Sequence, residues 1–256
     1  MSEGVDRAGL RLAGIAVADL WGGEELAFRL GQVQRRSGDN VDRPAGATWD
    51  HVVMQGFSTG ATSTQGDQDQ FAADAQALFQ AVEGTDNGAG VTGVLFETWA
   101  RHPDNGTFYP DPYPSAAAMQ AEVRAGYELA RAAIDDPEGT GSARVAPVGD
   151  AFEGLGFGRD LYDSDLYHAS TDGSLLASLV LYRTIYAEDV SDIAYAGVDT
   201  FAGVNEARWG ELTAAADLVA IPEPATGLLL AAGTPLLMRR RGVRSRPSAA
   251  TVGRLA

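Results

Sequence analysis

The sequence predicts an α/β domain in which helices cover both faces of a parallel sheet, giving three layers. Short apolar runs rich in Val and Leu alternate with longer segments whose apolar residues recur every three or four positions. Of the 256 residues, 45% are hydrophobic, which is enough for one substantial core. We therefore expect one domain with appendages, and functional groups in the loops at the carboxyl ends of its strands.

Four short apolar segments are predicted as strands. Each ends close to residues that form turns, and the second contains paired Val residues in WDHVVMQ. In chain order, the predicted strands cover residues 10–17, 49–55, 91–99 and 143–148.

Helices are predicted between and after these strands. The first follows acidic residues that suit a helix N-terminus, and Ser115 is expected to cap the second. The predicted helices cover residues 67–82, 115–134, 174–186 and 199–218. The loops at the carboxyl ends of the strands are then 21–25, 55–64, 98–114 and 149–168.

The charge of the chain limits its partners. All 19 basic residues are Arg, and with 35 acidic residues the net charge is −16. Six arginines follow Glu223, so the preceding chain has 13 arginines against 35 acidic residues, a net charge of −22. Such a body repels phosphate backbones, so we expect no nucleic acid partner and we expect neutral or cationic substrates. Cysteine is absent, which excludes disulfides and cysteine nucleophiles.

The C-terminal segment combines three features in order. Residues 221–241 read IPEPATGLLLAAGTPLLMRRR, a Pro-Glu-Pro triplet followed by an apolar run and an Arg cluster. This order resembles the PEP-CTERM sorting signal of certain Gram-negative bacteria, which implies export to the cell envelope and processing by an exosortase. The apolar run at 225–238 would enter the membrane while the Arg cluster stays cytoplasmic. A buried core helix is the alternative, because 14 residues are fewer than the roughly 20 that span a bilayer.

Histidine chemistry has three candidates, His51, His102 and His168. Asp165 precedes His168 by three residues, in LYDSDLYHASTDG before an apolar helix. A carboxylate in that position can accept the imidazole N–H and orient the ring as a general base. An ordinary pairing on a polar loop is the alternative. Three scattered His without Cys predict no metal site.

The segment around Asp165 and His168 resembles the last block of the SGNH/GDSL hydrolases, where Asp-x-x-His precedes the final helix. The resemblance extends over about residues 19–189, through WDHVVMQGFST, FETWAR, MQAEVRAGYELA and VAPVGDAF. It implies a three-layer SGNH-hydrolase-like (flavodoxin-like) fold and a serine esterase without a cofactor. It also implies that Asp165 orients His168, the general base.

The resemblance further assigns the oxyanion donors. Gly22 and Gly23 match the block whose glycine offers a backbone N–H, and Gln55 stands where many relatives have an Asn. The loop at 98–114 is expected to border the pocket, so Trp99, His102 and Tyr109 are candidate substrate contacts.

The nucleophile departs from the family pattern. Relatives have a Gly-Asp-Ser or Gly-Asn-Ser turn upstream of the Gly-Gly block, and nothing between Met1 and Gly22 matches it. We therefore predict a domain truncated at its N-terminus, without its first strand and without a visible signal peptide. Ser58 fits the G-x-S-x-G nucleophile motif in GFSTG. In hydrolases that use this motif, a helix begins directly after the serine, whereas residues 61–66 of this chain are predicted as a loop.

The predicted organisation is an SGNH-like domain at 1–198, a helical linker at 199–220, the sorting signal at 221–241 and a disordered basic tail at 242–256. The predicted function is an exported esterase that acts on a small-molecule or polysaccharide ester. The alternative is a non-catalytic surface or matrix binding protein that keeps the fold, which the missing serine favours.

Overall fold

The computed structural model describes residues 48–135, 142–195, 198 and 203–221, and the backbone of residues 15–20. Its described part contains a parallel four-stranded sheet in chain order, β1-β2-β3-β4. The strands are β1 (Ile15–Leu20), β2 (His51–Gly56), β3 (Thr92–Phe96) and β4 (Ala143–Ala146). The α-helices are α1 (Gln68–Glu83), α2 (Ala116–Ile134), α3 (Val148–Gly154), α4 (Thr171–Tyr186) and α5 (Glu206–Leu218). The predicted α/β class with a parallel sheet is confirmed, and it is consistent with an SGNH-like fold.

Both faces of the sheet are covered. Three successive residues of β2, Val52 to Met54, are buried, as are Val94, Leu95 and Phe96 of β3. Successive side chains of a strand point to opposite faces, so a continuous buried run requires apolar packing on each side. The continuous apolar runs in the sequence, rather than an alternating pattern, predicted this arrangement.

Side-chain caps explain where the long helices begin. Asp67 accepts a hydrogen bond from the Gln70 N–H, and Ser115 accepts one from Ala118. Ser170 and Asn205 cap α4 and α5 in the same way. Each cap satisfies one backbone donor that the first helical turn leaves unpaired, and is worth about 1 kcal/mol. The prediction that Ser115 caps a helix ending at Ile134 is correct.

Several local predictions need correction. Helix α4 begins at Thr171 rather than at residue 174, and β3 ends at Phe96 rather than at residue 99. The first strand runs to Leu20, beyond the predicted end at residue 17. A 3₁₀ turn occupies Ser58–Ala61 in a predicted loop, and α3 occupies the start of the predicted loop 149–168. The last helix, α5, begins at Glu206 rather than at 199. These two missed elements, and the 3₁₀ turn Arg159–Leu161 in the predicted loop 149–168, are each shorter than two full helical turns, so periodicity has too few residues to reveal them.

Helix α5 belongs to the compact unit and is not a linker. Trp209, Leu212 and Ala216 are buried in the core that α5 shares with the sheet and the other helices. The carboxylate of Asp217 accepts hydrogen bonds from the backbone N–H groups of Val190 and Ser191, 2.9 and 3.0 Å away. The unit that contains α5 therefore extends past the predicted boundary at 198.

The predicted sorting signal and basic tail lie, from residue 222 onward, outside the described residues. Within the described ranges, no helix is both long enough and apolar enough to cross a membrane. The sorting role of the tail stays a prediction.

Candidate active site

A cleft of about 560 Å³ lies where β2 and β3 end. Its lining comes from the segment after β2, the segment after β3, and the segment that leads into α4. The lining residues are Gln55, Gly56, Phe57, Ser58, Thr98, Trp99, Arg101, Tyr167, His168, Ala169 and Ser174. This is the edge at which parallel α/β sheets place their ligands. Four predicted site residues, Gln55, Ser58, Trp99 and His168, therefore lie in one cleft.

Asp165 and His168 form a close pair. Nδ1 of His168 lies 2.6 Å from Oδ2 of Asp165. The other carboxylate oxygen of Asp165 accepts the backbone N–H groups of Tyr167 and His168, both at 2.9 Å. The hydrogen bond from His168 is the main reason that the pKa of Asp165 falls to about 2. An ionised Asp165 therefore holds Nδ1, which leaves Nε2 of His168 for chemistry in the cleft.

The loop that carries the pair is a tight turn. Tyr162 and Ala169 pair across its base, and Leu166 at its tip has a φ of 59°. Left-handed backbone costs about 1 kcal/mol or more for a residue with a side chain, so the surroundings must enforce it. The carbonyl of Leu166 accepts the backbone N–H of His102 at 3.1 Å, which fixes this conformation.

The segment after β3 anchors the same loop from its other side. The indole N–H of Trp99 donates to the carbonyl of Tyr167 at 3.1 Å. The hydroxyl of Tyr162 donates to the carbonyl of Ala100 at 2.9 Å. Trp99 itself stacks on Phe152, with ring centroids 4.6 Å apart. These contacts hold the backbone next to His168 against the segment after β3, while Asp165 orients the imidazole itself.

The end of β2 is held from below by α2. The hydroxyl of Tyr127, which is fully buried, accepts the backbone N–H of Gly56 at 3.1 Å. That bond occupies the Gly56 N–H, so this group is not available as an oxyanion donor. Ser58 follows immediately and begins the 3₁₀ turn, and its side chain is buried although it lines the cleft.

Other predicted site residues lie elsewhere. His102 is buried behind the cleft wall, where its ring meets Tyr162 edge to face and its Nδ1 accepts the Asp104 N–H. The hydroxyl of Tyr109 donates to the carbonyl of Arg101 at 2.9 Å. Neither residue is among those that line the cleft. Gly22 and Gly23 fall outside the described residues, so their role stays a prediction.

Arg101 is a site residue that the sequence analysis did not single out. It lines the cleft yet is 3% exposed, and its Nε has no hydrogen-bond partner among the described residues. Its guanidinium carbon lies 3.4 Å from the centroid of the Tyr167 ring, with Phe57 and Phe108 further out at 5.4 and 5.1 Å. Burial lowers the pKa of Arg101, but an arginine remains charged. A lone cation at the end of a predicted strand, in so acidic a chain, was the available sequence signal.

A second buried polar layer lies beneath the cleft. Gln120 on α2 donates to the carboxyl group of Glu97 at 2.7 Å, and its amide oxygen accepts the backbone N–H of Ala100 at 2.8 Å. Glu97 is 1% exposed, and burial together with neighbouring Asp150 raises its pKa well above the ordinary value of 4.5. This layer fixes the backbone between β3 and the residues that line the cleft.

We expect Glu97→Gln to flatten the pH dependence of stability. Because the folded pKa of Glu97 is raised, the unfolded chain loses this proton first as pH rises above 4.5. Wild-type stability should therefore fall by up to about 1.4 kcal/mol per pH unit until the folded pKa is reached. Glutamine keeps the size and hydrogen bonds of a protonated carboxyl group but does not titrate. Urea unfolding at several values between about pH 5 and pH 8 measures the difference.

The control for this test is Glu206→Gln, which removes an exposed carboxylate from the first turn of α5. Its unfolding free energy should run parallel to that of the wild type across the same pH range. A Glu97→Gln profile that also runs parallel would show that Glu97 is ionised in the folded protein.

Fold and site together define an α/β protein with a His–Asp pair at the carboxyl edge of a parallel sheet. In the described part of the chain, no group of three His, Asp or Glu side chains is arranged to hold a metal ion.

Comparison with known proteins supports the fold. No family model matches the sequence, and no curated protein matches it. Among solved structures, the chain is similar to a DUF4886 family protein from Bacteroides uniformis, with a TM-score of 0.53 and 18% sequence identity. The similarity covers 66% of this chain, which spans only 61% of the length of that protein. At this identity the likeness establishes the shared fold.

Proposed function

We propose that this chain is an acyl-ester hydrolase of the SGNH kind, with His168 as its general base and Asp165 as the residue that orients it. The observation that carries the proposal is the 2.6 Å contact between Nδ1 of His168 and Oδ2 of Asp165 at the mouth of a cleft. An ionised carboxylate on Nδ1 selects the tautomer whose Nε2 accepts a proton, and it stabilises the imidazolium that forms.

The reaction needs an oxygen nucleophile that His168 can deprotonate. Two sources are compatible with the cleft, the hydroxyl of Ser58 and a water molecule. In either case the oxygen attacks the ester carbonyl carbon, its proton passes to Nε2 of His168, and the alkoxide leaves with that proton. With Ser58 the product is an acyl-serine that a water molecule then hydrolyses by the same proton path. With water, acid and alcohol form in one cycle.

Charge on the carbonyl oxygen must be stabilised during the attack. Gln55 lies at the end of β2 and lines the cleft, so its carboxamide N–H group can donate to the developing oxyanion. A single such donor contributes about 10²-fold or more in other hydrolases.

Hydrolysis of para-nitrophenyl acetate by the full chain tests the proposal and identifies the nucleophile. With Ser58 as nucleophile, Ser58→Ala should lose about 10³-fold or more in kcat/KM and abolish any burst of nitrophenol. With water as nucleophile, Ser58→Ala should keep the wild-type rate. Ser174→Ala is the matched control, because Ser174 lines the same cleft on the exposed first turn of α4. A wild-type chain with no saturable hydrolysis would contradict the proposal.

A specific observation favours a second function, a non-catalytic binding module with the same fold. Among the described residues, no hydroxyl group is hydrogen-bonded to the His168 imidazole, whose side-chain partner is Asp165. Under this alternative the wild-type chain binds an ester in the cleft and releases it unchanged. An ester that binds saturably and shows no turnover would support it.

A further inference from the structure

We infer that the cleft contains a carboxylate-binding subsite built on Arg101 and Thr98, so that its preferred ester carries a carboxylate group in the part that enters the cleft. The inference names a substrate class for the proposed hydrolase, but binding at the subsite does not require hydrolysis. It rests on two buried polar atoms without a hydrogen bond of normal geometry among the described residues, Nε of Arg101 and Oγ1 of Thr98, whose residues line the same cleft as His168.

The first group is the guanidinium of Arg101. Arg101 is more than nine-tenths buried, and no acidic side chain of the described residues forms an ion pair with it. The faces of three aromatic rings surround it, and the ring of Tyr167 is in direct contact. Aromatic faces attract a cation but accept no in-plane hydrogen bonds, and the Nε–H group of Arg101 has no partner among the described residues, so this N–H remains available to a ligand. A carboxylate matches that edge with two parallel hydrogen bonds.

The second group is the hydroxyl of Thr98, three residues earlier. Thr98 is 5% exposed, and its Oγ1 forms no hydrogen bond of normal geometry with the described residues, although the hydroxyl of Tyr127 lies near it. Buried hydroxyl groups are normally paired, so one that is left unpaired beside a cleft marks a place where a ligand or water completes the bonding. A hydroxyl donor and a guanidinium from one short segment suit a single carboxylate.

The backbone around Arg101 is held in place before any ligand arrives. The hydroxyl of Tyr109 donates to the carbonyl of Arg101, and that of Tyr162 donates to the carbonyl of Ala100. Gln120 binds the Ala100 N–H from beneath. A cation fixed in this way loses little freedom when an anion binds, which is the condition for a selective site.

The local charge opposes the charge of the whole chain. The net charge of −16 led us to expect neutral or cationic substrates. The residues that line the cleft all belong to the described part of the chain. Among them, Arg101 is the one permanent cation, and none is an Asp or a Glu. Water-excluding walls strengthen a charge at short range, whereas surface charges are screened beyond about 10 Å. A small anion beside Arg101 in the cleft therefore experiences this cation more strongly than the acidic surface.

Binding of two matched esters to the full chain tests the inference. Monomethyl succinate carries one ester and one carboxylate, whereas dimethyl succinate has the same skeleton without charge. We expect ligand-observed NMR titration to show at least about 10-fold tighter binding of monomethyl succinate, since a charge-assisted pair is stronger than a neutral contact. Arg101→Gln should abolish the preference, and Arg101→Lys should keep part of it. Thr98→Val, which keeps the side-chain shape, should weaken monomethyl succinate binding by about 3-fold or more.

Two results would overturn the inference: equal or undetectable binding of the two esters by the wild-type chain, or a preference that persists in Arg101→Gln. If Arg101→Gln lacks a cooperative melt, the wild-type preference and Thr98→Val decide the question without it. The outcome is separable from the proposed function. If the chain prefers the anionic ester but hydrolyses neither, the carboxylate subsite is supported and the esterase function is contradicted. If the chain hydrolyses both esters with equal KM, the esterase function is supported and the subsite is contradicted.

Discussion

His168→Ala should lower kcat/KM for para-nitrophenyl acetate by about 10³-fold, because the variant has no base to take the proton of the attacking oxygen. Asp165→Asn should lower it by about 10²-fold or more. Asparagine keeps an oxygen for the backbone N–H groups of the turn, but it has no charge to stabilise the imidazolium, and it permits the wrong tautomer. Since the pKa of Asp165 is about 2, the wild-type rate should show no titration of this carboxyl group above about pH 4.

Asp163→Asn is the matched control for this experiment. Asp163 lies in the same turn, is exposed, and its carboxylate accepts the backbone N–H of Ser164 instead of contacting the imidazole. It should keep the wild-type rate. The side chain of His168 is 68% exposed, so its removal should leave the thermal midpoint nearly unchanged and any loss of rate is chemical. Full activity in His168→Ala would remove the general base from the mechanism.

Gly126→Ala should destabilise the fold by about 3 kcal/mol or more, which lowers the thermal midpoint of a chain of this size by roughly 10 °C. A Cβ at position 126 would lie 2.1 Å from the carbonyl oxygen of Ala61. The new Cβ is bonded directly to the backbone of α2, and the oxygen belongs to the backbone of Ala61. No side-chain rotation can therefore relieve the clash, and α2 must move away from the 3₁₀ turn Ser58–Ala61. Because Ser58 lines the cleft, this movement should also lower binding or activity there.

Gly210→Ala makes the same chemical change on α5 and serves as its control. A Cβ at position 210 meets no atom within 4 Å, and the residue is exposed. Alanine in a helix interior is favoured over glycine by about 1 kcal/mol, so this variant should be at least as stable as the wild type. Thermal denaturation followed by circular dichroism compares the two. Equal midpoints for both variants would mean that α2 does not pack closely on the 3₁₀ turn.

Local sequence patterns were sufficient for most of the fold. The periodicity and the cap at Ser115 predicted α2, which begins one residue after the cap and ends at Ile134 as expected. The continuous apolar runs predicted strands buried on both faces. These features depend on neighbours within about four residues, so the sequence alone predicts them. Helix α3, with seven residues that include two glycines, was too short for the same argument.

The site was predicted only in part. Asp165 and His168 lie three residues apart, so a short turn is enough to bring them together. The spacing alone also fits an ordinary pairing on a polar loop, and the resemblance to the SGNH/GDSL hydrolases singled the pair out. The surroundings of Arg101 depend on contacts with Tyr167 and Phe57, which lie far away in sequence. His102 and Tyr109 were expected in the pocket because their loop borders it. Instead, the His102 ring contacts Tyr162, the Tyr109 hydroxyl donates to the carbonyl of Arg101, and neither residue lines the cleft.

The sequence by itself determined the α/β class and most of the strands and helices, because each depends on local spacing and hydrophobic pattern. It also indicated the His–Asp pair, through the three-residue spacing together with the resemblance to the SGNH/GDSL hydrolases. The tertiary structure alone decided that Gln55, Ser58, Trp99 and His168 share one cleft. It also decided that a buried arginine lines that cleft within an acidic chain, and that α5 belongs to the core. The physical reason is that the burial and the charge environment of a residue depend on contacts between segments that are distant in sequence. Those contacts form through packing of the whole domain, so a local sequence pattern does not predict them.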